Sequence, residues 1–175
     1  APIIAVTCAT DRSTTELARA LAASCARARM KALFVEGDIG VASTSVQANR
    51  WRSVLSHDGG QPRAMRGSTG AWELRKGIDS DIDDSSVSAP MIRTALDSLV
   101  DDFDVIVVSA GSLTNRLACQ FVLSASDVGV LEMHPSDPKD AVLSQIDRLD
   151  TLPRNGSVAV MRNALSKDPW LSVRT

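Results

Sequence analysis

The chain has 175 residues, 44% of them apolar and 23% charged, the make-up of one globular domain that can bury a core without disulfides or metals. Its 19 Lys and Arg stand against 21 Asp and Glu, a formal charge of −2. No basic excess is left to grip a phosphate backbone, which excludes a dedicated nucleic-acid binder, and the longest apolar runs are strand-sized, too short to span a bilayer as a helix.

Ile3-Ile4-Ala5-Val6 is the first predicted strand. A helix follows over 14–29, with Leu17, Ala18, Leu21, Ala22 and Cys25 three and four residues apart along one face. Ala32-Leu33-Phe34-Val35 is the next strand. Residues 40–90 are less regular: a short helix over 46–55, a strand over 71–74, and an acidic, serine-rich surface loop over 79–88. Helical spacing returns over 91–100, where Ile92, Ala95, Leu96 and Leu99 share a face. Val105-Ile106-Val107-Val108 is β-branched at every position. A helix over 117–124 leads to the strand Val128-Gly129-Val130-Leu131. A helix over 139–149, with Val142, Ile146 and Leu149 on one face, leads to Val158-Ala159-Val160-Met161.

These apolar runs are continuous rather than alternating, as in strands buried on both faces of a parallel sheet. Strands alternating with helices imply right-handed crossovers. The expectation is a single α/β domain over 1–175, a three-layer sandwich around a mainly parallel sheet.

In such sheets ligands bind where strands end and helices begin. The first such turn reads Thr7-Cys8-Ala9-Thr10-Asp11-Arg12-Ser13-Thr14-Thr15. The stretch IIAVTCATDRSTTELARALA resembles the first strand, P-loop and helix of the bacterial tyrosine kinases of polysaccharide export, relatives of the MinD/ParA-type ATPases. Other segments agree in order. ALFVEGDIG resembles their second acidic motif, and GAWELRKG a short strand ending in glycine. MIRTALDSLVDDFDVIVVSAG resembles the helix leading to their Walker B strand. SDVGVLEMHPSDPKDAV and SVAVMRN resemble the closing strands. Each piece alone is weak, and the specificity lies in the ordered set. The resemblance implies a P-loop NTPase-like fold with strands 3–6 and 105–108 as central neighbours.

It also puts the vestigial nucleotide-binding positions at Arg12, Ser13, Thr14, Thr15, Asp38 and Ser109. A working P-loop needs glycines, so that backbone N–H groups curl round the phosphates, and a lysine as a point charge on them. Aligned on Thr14 and Thr15, this loop is two residues shorter than the family pattern and has no glycine. Ser13 stands where lysine belongs, while Thr14 keeps the hydroxyl that touches magnesium in the family. Asp38 matches the second aspartate of the acidic motif, with Glu36 at the first; a turn residue before Gly40 is the alternative. Ser109 stands where the family carries its metal-linked aspartate, and a neutral hydroxyl supplies no charge to organise magnesium. Ser13-Thr14-Thr15-Glu16 fits a capping box, which would use the N–H donors a phosphate needs. Asp11 adds a carboxylate at the same helix end, and Arg12 is the only nearby cation. The family's C-terminal tyrosine cluster has no counterpart, since the chain contains no tyrosine.

The resemblance therefore implies a cytoplasmic pseudo-kinase or regulatory domain of an exopolysaccharide (succinoglycan-type) biosynthesis and transport protein. Such a domain would lie at the cytoplasmic face of the bacterial inner membrane, as part of a longer membrane protein. It would act by docking, through self-association or through the polysaccharide-export machinery, and would meet the membrane only through segments outside this chain. No catalytic residue, metal or cofactor is expected. The alternatives are a retained ATP- and magnesium-binding tyrosine kinase-like domain, and a soluble MinD/ParA-like regulatory partner. Trp51, Trp72 and Trp170 are candidate contact anchors, against the plainer reading that they pack on the domain. Cys8, Cys25 and Cys119 form no C-x-x-C, make no metal set with His57 and His134, and read as small buried residues.

Overall fold

The β-branched run that begins at Val105 has no polar side chain to offer solvent, and it lies in the interior of the sheet, flanked on both sides. The computed structural model describes residues 1–10, 12–37, 64–75, 87–114, 117–153 and 155–161, the last five as backbone. In chain order these form β1 (Ile3–Cys8), α1 (Thr15–Arg27), β2 (Ala32–Glu36), β3 (Met65–Arg66), β4 (Trp72–Leu74), α2 (Ala89–Asp97), a 3-10 turn (Val100–Asp102), β5 (Val105–Ser112), α3 (Leu117–Ser124), β6 (Val128–Met133), α4 (Lys139–Leu149) and β7 (Ser157–Met161). The sheet order is β3-β4-β2-β5-β1-β6-β7. Every neighbouring pair is parallel except β3 with β4. β1 and β5 are central neighbours, with Ile3 opposite Ile106 and Ala5 opposite Val108. The expected α/β sandwich and mainly parallel sheet are what the chain forms.

Alternate residues of the strands feed two cores. Leu33, Val35, Ile106 and Val108 face the layer built by α2, α3 and α4, meeting Ile92, Leu96, Leu123 and Leu149. Phe34, Val105, Val107 and Val6 face α1, whose Ala18 and Ala22 are small enough for close approach. Full burial of each large side chain contributes about 1.5–3 kcal/mol. Trp72 is half-buried and meets Phe103 edge-on at 6.4 Å, so it packs on the domain. Trp51, Trp170 and the helix expected over 46–55 lie outside the described residues.

Helix ends follow local chemistry. α2 starts two residues before the expected 91, because Ser88 accepts the Met91 N–H at 3.5 Å and Pro90 suits a first turn. It stops at Asp97, where Ser98 turns its hydroxyl onto the Ala95 carbonyl at 2.7 Å. α1 closes with the Met30 N–H on the Cys25 carbonyl and Arg29 at φ 65°, a left-handed position filled without glycine. Partial burial pushes the Cys25 thiol up from its ordinary value, against a backbone hydrogen bond that lowers it.

At the edge, β4 carries a charge inward. Glu73 is buried beside Phe34 in register, with Arg75 at 2.8 Å and Arg19 at 3.6 Å. At the base of the sheet, Arg93 of α2 donates to the Ala125 carbonyl at 3.0 Å and to Asp127 Oδ1 at 3.2 Å, and pairs with Asp97 at 2.7 Å. Asp127 Oδ2 in turn accepts the Ile3 N–H at 2.8 Å, which fixes the start of β1. The hydrogen bond to Asp97 and then the contact with Asp127 raise the Arg93 guanidinium above its ordinary value, against the cost of burial.

Candidate functional site

The site grows from the carboxyl end of β1. Cys8 is buried, and its thiol donates toward the Thr10 carbonyl at 2.9 Å and the Arg12 carbonyl at 3.1 Å. The Arg12 N–H bonds back to the Thr10 carbonyl at 2.7 Å. The loop thus turns the Thr10 and Arg12 carbonyls inward around the end of β1.

The expected capping box does not form as drawn. Thr14 is the N-cap of α1, and Ser13 instead accepts the Thr15 N–H at 3.3 Å. The physical reason is tertiary. Thr14 is 1% exposed, and its hydroxyl oxygen accepts the Gly111 N–H at 3.2 Å. A local cap has yielded to a bond that spans 97 positions.

Gly111 occupies an irregular point in β5. Pairing with β1 runs evenly to Val6 opposite Ser109, then slips to Thr7 opposite Gly111. At φ 77° this position suits glycine. Its carbonyl accepts the Thr7 hydroxyl at 2.7 Å, with Cys119 Sγ at 3.6 Å. Ser109 lies in β5 opposite Glu36 of β2, fully buried, and its hydroxyl has no hydrogen-bond partner among the described residues. β2 ends flush against it: a Cβ on Gly37 would sit 2.5 Å from Val108 Cγ1 and 3.1 Å from the Ser109 carbonyl oxygen.

Of the six sequence-derived positions, Arg12, Ser13 and Thr14 share one loop, Thr15 opens α1, and Ser109 lies in the neighbouring strand. Asp38 and Asp11 lie outside the described residues.

Sequence reasoning missed the other wall. The turn between β6 and α4 brings His134, Ser136 and Asp137 to the loop. Asp137 has a side chain only 2% exposed. Its Oδ1 accepts from the Thr10 hydroxyl at 3.2 Å and is ion-paired with Arg12 Nη2 at 3.2 Å, and its Oδ2 accepts the His134 N–H at 2.7 Å. Arg12 Nη2 also donates to the Ser136 hydroxyl at 3.1 Å, which sits 2.8 Å from His134 Nδ1. The available signal was the Ser136-Asp137-Pro138 turn ahead of a helix, a pattern that reads as a cap rather than a partner for a loop 124 residues away. A cleft of about 40 Å³ remains between the two segments, lined by Cys8, Thr10, Arg12, Ser13, Glu132 and His134 among others. Small-molecule pockets run roughly 300–1,000 Å³. Among the described residues no group of three or more His, Cys, Asp and Glu side chains is placed to hold a metal ion.

No protein-family model and no curated protein matches the sequence. Solved structures match its fold. The chain is similar to the kinase domain of VpsO, at 14% identity over 89% of this chain and 82% of that one, with a TM-score of 0.75. It is similar to the kinase domain of the Escherichia coli tyrosine kinase ETK, at 16% identity over 97% and 71%, with a TM-score of 0.73. It is also similar to the septum site-determining protein MinD from Pyrococcus horikoshii, solved with Mg-ADP, at 15% identity over 95% and 72%, with a TM-score of 0.72. The class so defined is the P-loop NTPase fold. Within it, the likeness is to bacterial tyrosine kinase domains and MinD, as the sequence resemblance implied. One scaffold thus carries proteins of different work, so this chain's function has to be argued from its loop.

Proposed function

We propose that this chain is a pseudo-kinase or regulatory domain of an exopolysaccharide biosynthesis and transport protein of the succinoglycan type. It acts by docking and assembly rather than by phosphoryl transfer. It works at the cytoplasmic face of the inner membrane, within a longer protein whose other segments supply the membrane anchor. Among the described residues no helix is long and apolar enough to cross a membrane.

The observation that carries this reading is the inward closure of the loop after β1. Phosphate binding there needs backbone N–H groups turned outward, a mobile cation and a hydroxyl for magnesium. Here the Arg12 N–H is taken up by the Thr10 carbonyl and the Thr15 N–H by the Ser13 hydroxyl, Arg12 is committed to Asp137 and Ser136, and Thr14 accepts the Gly111 N–H. Ser109 brings no negative charge for a metal. These residues do not fit a magnesium nucleotide. Each charged phosphate contact that is missing forfeits about 1.5–3 kcal/mol, and each 1.4 kcal/mol is about tenfold in affinity.

Calorimetric titration of the folded protein with ATP and magnesium tests the reading. The expected result is no binding at millimolar nucleotide. Micromolar binding that disappears in Arg12→Ala or Thr14→Ala would overturn it in favour of a retained ATP-binding kinase-like domain.

A further inference from the structure

We propose that Thr10, Arg12 and the His134 N–H build an oxyanion site whose resident ligand is the protein's own Asp137 carboxylate. The site is autoligated, and it opens to a free oxyanion of the phosphate or carboxylate class only when the Asp137 side chain swings out of it while the turn between β6 and α4 keeps the His134 N–H in place. The proposal rests on the reading of this loop as one that does not take nucleotide, and it names what occupies the loop instead.

Three donors of different origin converge on one carboxylate. A hydroxyl and a guanidinium from the β1–α1 loop meet Oδ1, each at 3.2 Å, and a backbone N–H from the β6–α4 turn meets Oδ2 at 2.7 Å. This is the donor set expected of a site for a small oxyanion. The carboxylate side chain is 2% exposed, while the Arg12 side chain that reaches over it is 46% exposed. The anion is therefore enclosed and the cation stands at the entrance. Asp137 is delivered by a compact turn, in which its own N–H bonds to the His134 carbonyl at 2.9 Å while His134 returns its N–H to the carboxylate. A capping aspartate needs neither the Thr10 hydroxyl nor a guanidinium from a distant loop. The hydrogen bond of Arg12 to the Ser136 hydroxyl on the same turn aims the guanidinium at this carboxylate. The adjoining cleft of about 40 Å³ has room for little more than ordered water, as expected where an internal group already holds the position.

Replacing Asp137 by Asn keeps the shape and an acceptor for the His134 N–H but removes the charge. Inorganic pyrophosphate, titrated without metal into wild type and Asp137→Asn, is the probe. The variant is expected to bind at least about tenfold more tightly than wild type, and the gain should vanish in Arg12→Ala/Asp137→Asn. Hydrogen exchange of peptides covering residues 9–14 should quicken by about tenfold in Asp137→Asn. Equal binding by the two proteins overturns the proposal, as does a gain that survives loss of Arg12. A purely structural aspartate would lower stability without creating an anion site. Should Asp137→Asn fail to fold, Arg12→Ala replaces it, since that side chain is half exposed. Faster exchange over 9–14 is then expected, and unchanged exchange is the contrary result. Binding of magnesium ATP by wild type bears instead on the proposed function, so the two failures are told apart.

Discussion

Two arginine–aspartate pairs tie β1 to β6, one at each end of the same strands. At the base, Arg93 holds Asp127, which precedes β6 and receives the Ile3 N–H that starts β1. At the other end, Arg12 holds Asp137, which follows β6 and receives the His134 N–H. In each pair one carboxylate oxygen faces the guanidinium and the other a backbone N–H. The difference is the burial of the guanidinium and its redundancy. The Arg93 side chain is 21% exposed and has a second aspartate and a carbonyl, whereas Arg12 is 46% exposed and has one aspartate and a hydroxyl. The base lies where an open parallel sheet binds nothing, and the top lies where such sheets bind ligands. The same chemistry therefore reads as a clamp in one place and as an occupied site in the other.

The largest effect should come from breaking the base. Arg93→Ala leaves a partly buried carboxylate and the Ala125 carbonyl without their donor, and should cost about 2–3 kcal/mol in urea unfolding. Were it no more costly than the corresponding change at Arg12, the contrast drawn here would fail. Thr14→Val comes next. It removes the acceptor of the Gly111 N–H at a buried position and should cost about 1–2 kcal/mol, read from the same unfolding curves. Arg12→Ala should cost less than about 1 kcal/mol, because the guanidinium is half exposed and Asp137 keeps the Thr10 hydroxyl and the His134 N–H. Its mark should instead be faster hydrogen exchange in the loop. Ser109→Ala should lie within about 0.5 kcal/mol of wild type, or slightly above it, since the hydroxyl it removes has no partner among the described residues. A loss of 2 kcal/mol or more, roughly the cost of an unmade buried hydrogen bond, would mean that Ser109 works in the fold.

Much of the architecture was legible because it is written locally. α3 and α4 occupy the expected 117–124 and 139–149, where apolar residues recur at helical spacing between polar flanks. The continuous apolar runs became parallel strands for the same reason. β5 runs past Val108 to Ser112, which no apolar run announced: Ser109 pairs with both β1 and β2, and Gly111 and Ser112 are kept in the sheet by β1. The loop was legible by composition, in its missing glycines and lysine, but not by geometry. The cap at Ser13 was a sound local expectation that yielded to the Thr14–Gly111 bond. Asp137 was hidden altogether, because only the parallel pairing of β1 with β6 brings it to Thr10 and Arg12.

The strand β3 is only two residues long, runs against the direction of the sheet, and sits on a β4 whose Glu73 points inward under two arginines. A chain seeking to extend the sheet on this side meets a template too short to align with. Intrusion past it would also strand a buried charge away from its arginines. Fibril growth and strand exchange are discouraged at this border by these two features. Copies of this domain can therefore crowd together at high local concentration with little risk of fusing into a continuous β-structure along that side.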